Sequence, residues 1–153
     1  MAKSPSRRKA RELAIQILYG LNFSPAPDLE ALEKVFRTTP REKEDENGGE
    51  APGGFAWELV RGVWSRMSGL DGTINKYTRT WRADRLGKIE LTILRLALYE
   101  LLWLKDTPPG AIINEALELA AQFGNADAKP LINGILDAAM KSGDNVPESG
   151  QIS

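Results

Sequence analysis

A chain of 153 residues, 42% hydrophobic and 27% charged, is long enough for one compact domain and short for two. Its 20 Lys and Arg stand against 21 Asp and Glu for a formal net charge of −1, which excludes a uniformly basic DNA packager and leaves polyanion binding to a local patch. There is no cysteine and no histidine, so disulfides, thiolate nucleophiles, imidazole bases and the usual zinc ligands are all removed, and no cofactor is expected.

The basic start has no apolar segment of signal-peptide type behind it, and a cytoplasmic location is the expectation. Over residues 5–21, Ala10, Leu13, Ala14, Ile17, Leu18 and Leu21 recur on one helical face, with Ser4 as N-cap and Pro5 as first helical residue. A short second helix follows an N-cap at Asp28, carries Leu29, Leu32, Val35 and Phe36 on one side and stops before Thr39-Pro40. Residues 41–54, REKEDENGGEAPGG, have little to bury and read as an exposed, mobile loop within a connection over 38–54.

Phe55, Leu59, Val60, Val63, Trp64 and Met67 restore the helical period, and Gly69 stands where a stop belongs. Asp71 then caps a shorter helix through Ile74 and Tyr77. Residues 82–105 stay helical, with Asp84 as cap and Gly87 as a bend. Within them, the stretch 93–104 is interrupted only by Arg95 and Glu100. It falls short of the roughly 20 residues that cross a bilayer and reads as a helix buried on nearly every side.

Thr107-Pro108-Pro109-Gly110 ends that helix. Ile113, Ala116, Leu117 and Ala120 make the next one, finishing at Phe123-Gly124, and Ile132, Ile135, Leu136 and Ala139 mark a last one over 128–142. No alternating β-branched run occurs, and Asn133-Gly134 lies inside a helical period. The fold class is therefore all-α, with about seven helices in one domain over 1–142 and a disordered tail over 143–153.

Nothing marks an enzyme. The acidic residues lie on polar helix faces and in the loop, Glu115 and Glu118 read as solvated charges, and GGEAPGG is neither a GxGxxG nor a Walker A sequence. Trp64 falls on an apolar face, while Trp57, Trp81 and Trp103 have no assigned role. The basic start is the stronger signal: Lys3, Arg7, Arg8, Lys9 and Arg11 are uninterrupted by any acidic residue. On a helical wheel with Arg7 at 0°, Arg11 falls at about 40°, Arg8 at about 100° and Tyr19 at about 120°, whereas the apolar stripe centres at about 300°. Cations beside a ring suit single-stranded nucleic acid, although a plainly solvated basic face with Tyr19 over the core edge also fits the spacing.

Three blocks taken together are more specific. ARELAIQILYGLNF from Ala10, RLGKIELTILRLALYELL from Arg85, and INEALELAAQFG with NGILD ending at Asp137 resemble the NusB family of bacterial transcription antitermination factors. The resemblance implies an all-helical fold of two small bundles. It further implies binding of boxA, a short single-stranded RNA element of ribosomal RNA leaders, together with the small-subunit ribosomal protein NusE, and association with RNA polymerase and other Nus factors.

By the same resemblance, Lys3, Arg7, Arg8, Arg11 and Tyr19 would contact RNA, as would Asp127 and Lys129 beyond the sixth helix. Pro130-Leu131 departs from a Lys-Phe common in relatives. Glu90, placed on the exposed side of the long helix, would contact NusE. Monomer and homodimer both remain open. A non-catalytic interaction module, or a NusB-like domain detached from a ribosomal RNA methyltransferase, are the alternative readings.

Overall fold

The computed structural model describes residues 6–40, 54–78 and 86–142. Lys3, the cap at Ser4-Pro5, Trp81, Asp84, residues 41–53 of the loop and the tail lie outside them. Among the described residues there are seven α-helices, one π-helical and one 3-10 turn, and no strand. By compactness the chain divides after Trp64 into two units.

In the first unit, α1 (Ser6–Leu21) buries Leu13, Ala14, Ile17, Leu18 and Leu21 as its period requires, and Ile15 as well. Asp28 caps α2 (Leu29–Thr38), its Oδ1 accepting the Ala31 N–H at 2.9 Å. Leu32 and Phe36 carry the buried face of α2, whereas Leu29 is exposed. Phe36 meets Trp57 of α3 (Phe55–Ser65) edge to face, with ring centroids 5.2 Å apart. Such a pair adds about 0.5–1.5 kcal/mol beyond its area. Trp57 thus takes the core position, and Trp64 is only half-buried.

The second unit begins with a boundary the glycines misplaced. The chain breaks at Arg66, and α4 (Met67–Thr78) runs straight through Gly69 and Asp71. Gly69 lies against the Trp103 ring, and Asp71, far from capping, pairs with Arg95 of α5 (Lys88–Leu98). Arg95 Nε and Nη2 donate to Asp71 Oδ1 and Oδ2 at 2.7 and 3.0 Å, a two-bond match of planar groups. Gly87 is the N-cap of α5 rather than a bend.

Helix α5 packs against α4, α6 (Pro109–Phe123) and α7 (Lys129–Lys141), which explains why it is apolar nearly all round. It continues into the π turn Tyr99–Leu104, closed by Lys105 in the left-handed region (φ 54°), whose N–H donates to the Glu100 carbonyl at 2.8 Å. Pro109 then starts α6 instead of ending α5: proline fits the first helical turn, where its missing N–H costs nothing. The buried stripe of α6 is Ile112, Ala116, Leu119 and Ala120, whereas the expected Ile113 and Leu117 are only half-buried. After the 3-10 turn Ala126–Ala128, α7 buries Ile132, Ile135, Leu136 and Ala139 as expected. No helix among the described residues is long and apolar enough to cross a membrane.

Candidate nucleic-acid interface

The basic end of α1 is organised by a ring from another helix. The Arg7 guanidinium lies 3.9 Å from the centroid of Phe55, the first residue of α3, and that of Arg11 lies 5.4 Å from it. Both are within cation–π reach, which holds two like charges on one apolar support. Arg7, Arg8 and Lys9 are half-buried, but Arg11 is only 5% exposed. The wheel placed Arg11 on an open stripe; a wheel of α1 alone contains neither Phe55 nor the cover that buries Ile15.

Tyr19 is 38% exposed, so its ring is available as the pattern suggests. Phe23, just beyond the end of α1, is 62% exposed and meets Tyr19 edge to face at 5.3 Å. The Asn22 side-chain amide donates to the Tyr19 carbonyl at 3.0 Å, closing the helix end beneath the pair. Sequence reasoning passed over Phe23, although an aromatic residue after the last position of an apolar stripe was the available signal.

In the second unit, Asp127 is exposed in the 3-10 turn and Lys129 is the half-buried first residue of α7. Pro130 follows it in the first turn of the helix, a position that suits proline. Asn125 builds the turn: its Oδ1 accepts the Asp127 N–H and its carbonyl the Ala128 N–H, each at 2.9 Å.

Glu90 is not on an exposed face. It is 4% exposed, with its carboxylate between the Gly87 N–H at 3.1 Å and the Asn125 N–H at 2.6 Å. The arginines therefore gather round Phe55, while Glu90 gathers the segment that leads to Asp127 and Lys129. Among the described residues no group of three or more acidic side chains is placed to hold a metal ion.

An all-helical chain with an arginine-rich helix end, an aromatic support beneath it and exposed rings further along defines a class of helical proteins suited to bind a polyanion. The chain belongs to the NusB family, whose model matches residues 8–141. It is 53% identical over 146 residues to the transcription antitermination protein NusB of Desulfovibrio desulfuricans, covering 94% of this chain and 89% of the relative. The solved structure of T. maritima NusB is similar at 31% identity and a TM-score of 0.69, over 97% of each chain. A structure of antitermination factors NusB and NusE in complex with dsRNA is similar at 25% identity and a TM-score of 0.69, covering 92% of this chain and 99% of that one.

Proposed function

We propose that the protein is a transcription antitermination factor. It binds boxA-type single-stranded RNA in ribosomal RNA leader transcripts together with NusE, and joins the elongating polymerase with the other Nus factors. It acts by binding and makes or breaks no bond, in the cytoplasm where bacterial transcription runs. The observation that carries this reading is the family match over 8–141, joined to the antitermination name of a relative 53% identical.

The residues supply its physics. Arg7, Arg8 and, ahead of them in sequence, Lys3 neutralise phosphates, while Arg11 is buried against the Phe55 ring that it shares with Arg7. Tyr19 offers a face for an unpaired base, worth about 1–3 kcal/mol by stacking. Asp127 can accept from base edges, and Lys129 adds a cation. Sequence choice comes from the ring and these polar groups, since phosphates are alike at every position.

The test compares a boxA oligomer, a scrambled oligomer and a boxA duplex, each with and without NusE, at two salt concentrations. The expected result is preference for single-stranded boxA, sharpened by NusE. Equal binding to the scrambled oligomer, with NusE present, would falsify the boxA reading. Arg8→Glu should abolish RNA retention and leave NusE binding unchanged; retained RNA binding would favour the interaction-module reading instead.

A further inference from the structure

We propose that Glu90 is a positioning residue for the second RNA-facing segment rather than a surface contact for a protein partner. The proposal rests on the reading of Asp127 and Lys129 as RNA contacts.

The carboxylate is buried and bridges two backbone donors far apart in sequence. Its Oε1 takes the N–H of Gly87, at the start of α5, and its Oε2 takes that of Asn125, directly after α6, at 2.6 Å. A negative group in the first turn of α5 also faces the positive end of that helix. Charge-assisted bonds to backbone N–H groups are the stronger kind, and burial leaves water little access to replace them.

Two glycines are shaped around the same carboxylate. A Cβ at Gly124 would stand 2.5 Å from Oε2 and 3.2 Å from Ile89 Cγ2, and one at Gly87 would stand 2.7 Å from Oε1. Neither position has room for a side chain while Glu90 is seated. The consequences run outward through Asn125. With its N–H held by Glu90, its side chain and carbonyl build the turn that presents Asp127, and Lys129 opens α7 immediately after. Glu90 thus sets the position of two polar groups without touching RNA itself.

The test uses the full chain with Glu90→Gln and Gly124→Ala, and Lys129→Ala and Asp127→Ala for comparison. A glutamine places an NH2 group where one oxygen accepted, so one of the two backbone bonds is lost. Gly124→Ala expels the carboxylate and leaves its charge in place. Both should speed amide exchange at Asn125 by about tenfold or more, leave exchange at Leu136 unchanged, and weaken RNA binding about as much as Lys129→Ala does. NusE affinity should not change. In the unaltered chain the Asn125 amide proton should resonate well downfield, a reading that requires no variant to fold.

An ordinary Asn125 amide shift, or unchanged Asn125 exchange in both variants, overturns the proposal. Lost NusE binding with Asn125 still protected overturns it in favour of a partner contact. Unchanged RNA affinity in Glu90→Gln, where Lys129→Ala weakens it, also overturns it. If Lys129→Ala and Asp127→Ala both keep full affinity, the RNA reading of the segment fails, and the positioning role falls with it even where Asn125 exchange responds.

Discussion

At Tyr19 the ring is 38% exposed and braced by Phe23, while Arg8 sits three turns earlier on the same helix. On the proposed reading the two would contribute to RNA affinity by different physics, and salt separates them. Tyr19→Ala should weaken boxA binding by about 1–3 kcal/mol with no change in the salt slope, because stacking releases no counterion. Arg8→Ala should flatten the slope by about 0.7. Fluorescence anisotropy across a salt series checks both, and a flattened slope for Tyr19→Ala would sink the stacking assignment. Phe55→Leu keeps an apolar residue under Arg7 and Arg11 but removes the ring face. It should cost about 0.5–2 kcal/mol of RNA affinity with helical circular dichroism unchanged. The exposure of Tyr19 and the partial exposure of Arg8 were legible from α1 alone. The burial of Arg11 and Glu90 was not, since the atoms responsible come from Phe55 and from Asn125, the latter 35 residues away from Glu90.

At the scale of the element, periodicity was a good guide to helix existence and a poor one to helix ends. α7 shows the success: Ile132, Ile135, Leu136 and Ala139 follow from spacing alone, because one face is buried and the other is not. The failures share a physical origin. Gly69, Gly87 and Pro109 each permit more than one role, and their surroundings decide among them: the distant Trp103 ring beside Gly69, the Glu90 carboxylate three residues on from Gly87, and the first turn of α6 at Pro109. Asp71 was a plausible cap until Arg95, 24 residues on, claimed it. That pair ties α4 to α5 with Arg95 12% and Asp71 39% exposed, between surface and buried cases. Asp71→Ala should therefore lower stability by about 1–2 kcal/mol, read as a shift of the urea midpoint at unchanged slope. Leu136→Ala, fully buried on α7, should cost more, about 2–5 kcal/mol.

At the scale of the whole molecule, the formal charge of −1 and the cations at the chain's start act together. Counterion release depends on local contacts, so a nearly neutral protein can bind RNA with strong salt dependence as long as its cations are gathered. The number of cations assigned to RNA sets a ceiling, whatever their arrangement. Lys3, Arg7, Arg8, Lys9 and Arg11, with Lys129 from the second unit, allow a log–log salt slope for the isolated chain no steeper than about −4 on single-stranded RNA. Burial of Arg11 should bring it below that ceiling. A protein partner that adds its own basic surface steepens the slope, whereas one that only orders this chain raises affinity at constant slope. Measuring the slope with and without NusE distinguishes these routes, and the expected outcome is a steeper slope and tighter binding with NusE present. A slope well beyond −4 for the chain alone would mean that cations outside the α1 start and Lys129 reach the RNA, and the assignment of the interface would have to be redrawn around them.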